Sequence, residues 1–123
     1  MDHCKKYGFK FENLQVWQKA LELTDEINSL TKNSFPKEEL FILTSQIKRA
    51  ADSVVLNIAE GCTGQTNAVF KTFLSYALRS AIEVVACLFI AKKRKIIKED
   101  DFHKLYNEYQ ALCKMITALR NTL

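Results

Sequence analysis

Residues 46–61 read "QIKRAADSVVLNIAEG", and this stretch decides how the chain folds. Ile47, Ala50, Val54 and Ile58 recur at the spacing of one apolar helix face. Beside that face, Gln46, Arg49, Ser53, Asn57 and Glu60 fall at intervals of three and four, inside an arc of roughly 80°. Lys48 and Asp52 project from the side away from the apolar face. A helix edge turned to water usually carries Lys and Glu, whereas this one carries amides, a hydroxyl, a guanidinium and a carboxylate. Such groups fit a buried network in which every donor is matched.

Upstream, "FENLQVWQKALELTDEINSLTK" sets Phe11, Leu14, Trp17, Leu21, Ile27 and Leu30 near helical spacing and predicts a first helix ending around Lys32. Asn33 and Ser34 form a break. Pro36 suits the first turn of the second helix, and Glu38 and Glu39 complement the positive end of its dipole. The second helix runs to Gly61, and "GCTGQTN" connects it to a third at about residues 67–93. Gly61 and Gly64 are candidates for the left-handed conformation that ends a helix. A fourth helix spans about 99–121, with Phe102, Leu105, Tyr106, Tyr109, Leu112, Ile116 and Leu119 on its apolar side and Glu99, Asp100 and Asp101 at its start. No segment alternates with a strand period. The expected fold is all-α, an antiparallel up-down-up-down four-helix bundle over residues 11–123 behind a polar leader, residues 1–10.

The second half of the third helix, "SAIEVVACLFIA", is apolar nearly all the way round. Such a helix has to be covered on every side, and a helix of a four-helix monomer keeps one face in water. Self-association or a deeply central position accounts for it.

Composition agrees with helices. Among 123 residues there are only 3 Gly and 1 Pro, too few punctuators for a many-stranded sandwich or barrel. The 18 basic and 14 acidic residues leave a net charge of +4, which permits an acidic partner without requiring one. Cys4, Cys62, Cys87 and Cys113 are widely spaced and read as reduced, structural residues rather than a disulfide or zinc framework. The N-terminus has no signal-peptide core, and no apolar run approaches the ~18 residues that span a bilayer, so a cytoplasmic protein with no membrane partner is expected.

Catalytic signatures are sparse. Asp100 and His103 give half of a di-iron spacing, without a second copy. Arg94 lies too far from His103 for a helical-ribonuclease pair. Glu22 and Asp25 match one magnesium-binding spacing without its partner. No phosphate-binding Gly-rich loop or nucleophile elbow is present. The expectation is a protein that is not an enzyme, with no metal and no cofactor. The clearest charge signal is "AKKRKIIKEDD", whose Lys92, Lys93, Arg94, Lys95 and Lys98 place five cations within seven residues. Phosphate contacts and a solvated helix end complementing the helix dipole fit this run about equally, and no stacking motif accompanies it. Ser80 and Glu83 on the third helix are candidate partners for the polar stripe. An Arg49–Glu83 ion pair flanked by Asn57 or Gln46, within the bundle or across a subunit interface, is the specific expectation.

The Phe-Pro-x-x-Glu turn (Phe35, Pro36, Glu39), Gln46, Arg49-Ala50, Ser53, Asn57-Ile58-Ala59-Glu60-Gly61, and later Ser80 with Glu83 resemble the bacterial four-helix-bundle family of 23S ribosomal RNA intervening-sequence proteins. The likeness runs from about Phe11 to the C-terminus. It implies an antiparallel bundle assembling into a homopentameric, barrel-like ring. It also implies kinship with the accessory variability determinants of diversity-generating retroelements, which bind nucleic acid through basic surface and engage a reverse transcriptase. The chain departs from the pattern in "CTGQTN", which lacks a basic residue after Glu-Gly. It departs again at Arg79, in place of a small residue, and in "KKRKII", in place of a turn with Gly and an aromatic.

Two functions follow as expectations. The first is an oligomer binding structured RNA or DNA through phosphates with little sequence specificity. Lys92, Lys93, Arg94, Lys95 and Lys98 would be its main contacts and Lys48 a weaker one. The second is a scaffold docking a polymerase such as a reverse transcriptase. On either view Gln46, Arg49, Ser53, Asn57, Glu60, Ser80 and Glu83 form an architectural polar network.

Overall fold

In the computed structural model, which describes residues 8–123, four long helices follow one another: α1 (Gln15–Ser34), α2 (Ser45–Gly61), α3 (Asn67–Lys93) and α4 (Glu99–Asn121). The described residues contain no strand. Residues 1–7 of the expected leader, with His3 and Cys4, lie outside the described residues. Each helix packs on the next in sequence, and α4 returns to α1, so the four enclose one core. Leu23, Ile27, Ile47, Ile58, Leu74, Leu88, Tyr109, Leu112 and Ile116 are its largest fully buried side chains. Ion pairs of Lys19 with Glu108 and of Lys104 with Glu26 tie α1 to α4 outside that core.

The apolar faces of α2 and α4 fall where their spacing predicts. Ile47, Ala50, Val54 and Ile58 are buried from α2, and Phe102, Leu105, Tyr109, Leu112 and Ile116 from α4. On α1 the core face is instead Val16, Ala20, Leu23, Ile27 and Leu30, while Leu21 is exposed. The difference arises before the helix begins. A 3₁₀ turn, Lys10–Asn13, takes up the residues that periodicity assigned to the helix. The Phe9 amide donates to Glu12 Oε2 at 3.0 Å, and Gln18 Nε2 donates to the Glu12 carbonyl at 2.6 Å.

Entry into α2 is irregular. Phe35 is extended, as the following proline demands, and Pro36 caps a 3₁₀ turn, Lys37–Glu39. A π-helical turn, Leu40–Thr44, then runs into α2. Leu43 and Thr44 point inward, whereas Phe41 is 90% exposed. At the far end, Gly61 is buried inside the helix, not in the left-handed region expected of it. A Cβ there would meet Phe73 Cβ at 2.6 Å, so glycine permits the close approach of α2 to α3. Gly64 does adopt positive φ, at 85°. Thr66 then caps α3 by accepting from the Val69 amide at 3.0 Å.

Helix α3 has no uninterrupted apolar run of bilayer length, yet it is long and apolar enough overall to pass a test of length and composition. It has 27 residues, its best 18-residue window has a mean hydropathy of 1.7, and only 33% of that window is buried. By length and composition it could cross a membrane; charged residues such as Lys71, Arg79 and Glu83 break the apolar run and hide this from inspection. In the bundle, Leu74, Ala77, Ala81, Val84 and Leu88 fill the core, while Tyr76, Ile82, Phe89 and Ile90 remain exposed.

Candidate functional site

The basic run forms the end of α3 and the turn into α4. The Ile96 amide donates to the Ala91 carbonyl at 2.9 Å and the Lys95 amide to the Lys92 carbonyl at 3.0 Å. This pair of bonds is a Schellman ending, whose left-handed position is usually glycine. Here Lys95 occupies it, with φ of 61°, the one positive-φ non-glycine residue among those described. A side chain in this conformation costs roughly 1–2 kcal/mol over the right-handed alternative.

The five cations do not share one state. Lys92 faces Glu99 at 3.7 Å and sits 4.5 Å from the centre of the Phe102 ring. Arg94 Nη1 donates to both carboxylate oxygens of Glu39 at 3.2 Å. Among the described residues Lys93, Lys95 and Lys98 are exposed and take part in no ion pair. Lys48 is exposed on α2, away from this turn, and lines two shallow grooves beside Asp52. His103 is exposed and pairs with Glu99 at 3.3 Å.

The Arg94–Glu39 contact also gives the Phe-Pro-x-x-Glu turn a role that spacing could not show. It fastens the α1–α2 connection to the α3–α4 connection, so both lie at one end of the bundle.

The polar stripe divides into two parts. Ser53 and Asn57 are half-buried. Asn57 Nδ2 donates to the Ser53 carbonyl at 2.8 Å and to Ser53 Oγ at 3.0 Å, and Ser80 Oγ donates to Ser53 Oγ at 3.0 Å across the α2–α3 seam. Gln46, Arg49, Glu60 and Glu83 are exposed, so the stripe as a whole is not buried within one chain. Gln46 Nε2 reaches Glu83 Oε2 at 3.4 Å, but Arg49 and Glu83 form no ion pair within the chain. Arg79 lies instead over the Tyr76 ring, 5.7 Å from its centre.

The stripe borders a groove of about 610 Å³ lined by Leu40, Thr44, Arg49, Leu56, Asn57 and Glu60 among others. Leu56 is 60% exposed and Ile82, on the adjoining α3, 57%. Thr44 Oγ1 is buried without a hydrogen-bond partner. The α2–α3 side therefore combines exposed apolar groups with Arg49, Glu60 and Glu83, which form no ion pair among the described residues, a composition common to subunit interfaces. The sequence signal that could have found it is the all-round apolarity of α3.

Burial disfavours the thiolate at the three described cysteines. It pushes the Cys87 thiol up to about 11, with Glu83 adding to the effect, and it raises Cys62 and Cys113 as well. Among the described residues no group of three or more His, Cys, Asp and Glu side chains could hold a metal ion.

The fold and the stripe define a small helical-bundle protein built around an α2–α3 polar seam. The family of 23S rRNA-intervening sequence proteins matches residues 12–118, and the chain belongs to it. A crystal structure of a protein of unknown function from the S23 ribosomal protein family of Bacteroides thetaiotaomicron superposes with a TM-score of 0.80. The two are 25% identical, over 86% of this chain and 95% of that one. No curated protein matches.

Proposed function

We propose that the chain is a non-enzymatic, cytoplasmic protein whose antiparallel, up-down-up-down bundle assembles into a homo-oligomeric, pentameric ring. It binds structured RNA or DNA through phosphates with little sequence specificity. The observation that carries the binding is the turn after α3, where Lys93, Lys95 and Lys98 are exposed with no carboxylate partner among the described residues and Lys95 occupies a position that glycine would fill more comfortably. A local rule broken without structural gain is a mark of functional positions. Lys92 and Arg94 hold the turn in shape and contribute less to contact.

Assembly rests on the exposed Leu56, Ile82 and Phe89 and on Arg49, Glu60 and Glu83, which can pair between copies. A ring of small subunits multiplies weak phosphate contacts into useful avidity.

The test is the salt dependence of binding. Changing Lys93, Lys95 and Lys98 together to Ala should weaken affinity for duplex and structured RNA alike. It should also make the logarithmic salt slope shallower by about 2–3, since each phosphate contact contributes about 0.9. An unchanged slope would remove the turn from the mechanism.

One observation favours a second reading, a scaffold that docks a polymerase such as a reverse transcriptase. Two of the five cations are already neutralised by Glu99 and Glu39, and the broad exposed face suits protein contact. On that reading the oligomer binds no nucleic acid at any salt concentration.

A further inference from the structure

The Arg94–Glu39 bond has a consequence for what surrounds the basic turn. Glu39 immediately precedes the π-helical turn Leu40–Thr44, so the clamp brings that turn to the same end of the bundle as Lys93, Lys95 and Lys98. Lys37, also exposed, joins the group from the other side. Phe41 is 90% exposed there, far beyond what an aromatic side chain ordinarily tolerates, and makes no ring contact with another aromatic among the described residues. Neighbouring Ile42 is 60% exposed. Sequence alone could not associate Phe41 with the basic run because more than fifty residues separate it from Lys93; the clamp brings their two segments to one end of the bundle.

We infer that Phe41 is a stacking platform for an unpaired base, and that this end of the bundle takes single-stranded polynucleotide, with Lys37, Lys93 and Lys95 meeting the flanking phosphates. This rests on the proposed nucleic-acid reading and narrows it to strands or loops with splayed bases. Stacking is sequence-tolerant because every base has a π-face, and cations beside an aromatic are the usual composition of single-strand sites. The ring stands on a turn held at its start by the Arg94–Glu39 bond and continuous at its end with α2. It is therefore held out in advance, and little ordering entropy is lost on binding. Duplex DNA offers it no face, so Phe41 acts only on unpaired bases.

The experiment titrates wild type, Phe41→Ala, Phe41→Trp and the Lys93/Lys95/Lys98→Ala variant with a uridine oligomer, an oligothymidine, and a duplex of equal length. Phosphatidylglycerol vesicles and light scattering are run in parallel. At 90% exposure the Phe41 changes leave the fold intact, which circular dichroism verifies. Phe41→Ala should lose about tenfold in single-strand affinity with its salt slope and duplex affinity unchanged. Phe41→Trp should show fluorescence quenched by the oligomers beyond the response of Trp17, the only native tryptophan.

Wild-type affinities in Phe41→Ala, with binding lost in the lysine variant, would overturn the stacking role and leave the phosphate reading standing. Wild type that binds neither strand nor duplex would overturn both. A Phe41→Trp blue shift on vesicles alone would make this end a bilayer contact, and a smaller assembly for Phe41→Ala would make Phe41 a subunit contact. Either outcome overturns the proposal.

Discussion

Lys95, Gly61 and Cys87 carry the account at the scale of single residues. Lys95→Gly relieves the left-handed strain and should raise stability by about 1 kcal/mol in denaturant unfolding, while weakening nucleic-acid binding by one phosphate contact. Gly61→Ala should lower stability instead. The obstructing atom is Phe73 Cβ, fixed to the backbone of α3, so the helices themselves must part, at about 2–3 kcal/mol. Gly61 was legible in the sequence as special but not for its reason, since a close helix approach is a tertiary fact. Cys87 predicts a pH dependence. In the unfolded chain its thiol ionises near 9, while burial holds it to about 11 in the fold. The fold disfavours the thiolate that the unfolded chain can form, so stability is full below pH 9 and is lost as pH rises toward about 11. Tyr109, also raised by burial, extends the loss to higher pH. The melting temperature should fall over this range, and Cys87→Ala should flatten the part between 9 and 11.

At the scale of elements, α2 and α4 were readable because their apolar periodicity belongs to the helix alone. The start of α1 was not, because a local turn around Glu12 competed for the same residues. The polar stripe was half legible. The spacing of its residues sets them on one edge of the helix, but whether an edge is covered depends on what packs beside it. Asn57 and Ser53 are satisfied by the seam with Ser80, so Asn57→Ala should lose about 1 kcal/mol of stability. Arg49 and Glu83 are exposed and unpaired with each other. Glu83→Gln should therefore leave the unfolding free energy of the dissociated subunit within about 0.5 kcal/mol of wild type, and act, if anywhere, on assembly. A loss of several kcal/mol in the dissociated subunit would restore the intramolecular ion pair.

For the whole molecule, the all-helical class could be read from composition and periodicity, and the family only from the resemblance that the Phe-Pro-x-x-Glu turn and the polar stripe carry. The use of the surface could not. The basic run looked uniform in sequence; the fold shows Lys92 beside Glu99, Arg94 held by the distant Glu39, and three cations in no ion pair among the described residues. Likewise the apolar surplus of α3 was visible, but only the packing shows that Ile82 on α3 and Leu56 on α2 are left exposed. Ile82→Glu should reduce the assembly to smaller species by light scattering while circular dichroism stays helical.

The central claim is an oligomer that grips phosphate. It is tested most directly by titrating the purified protein with structured RNA and duplex DNA across a salt series, with its mass determined by light scattering in the same buffers. The account predicts a ring of several subunits that binds both at micromolar concentration or below, with affinity falling steeply as salt rises. A ring that binds neither, at any salt concentration, would contradict it and leave the basic turn as a solvated helix end.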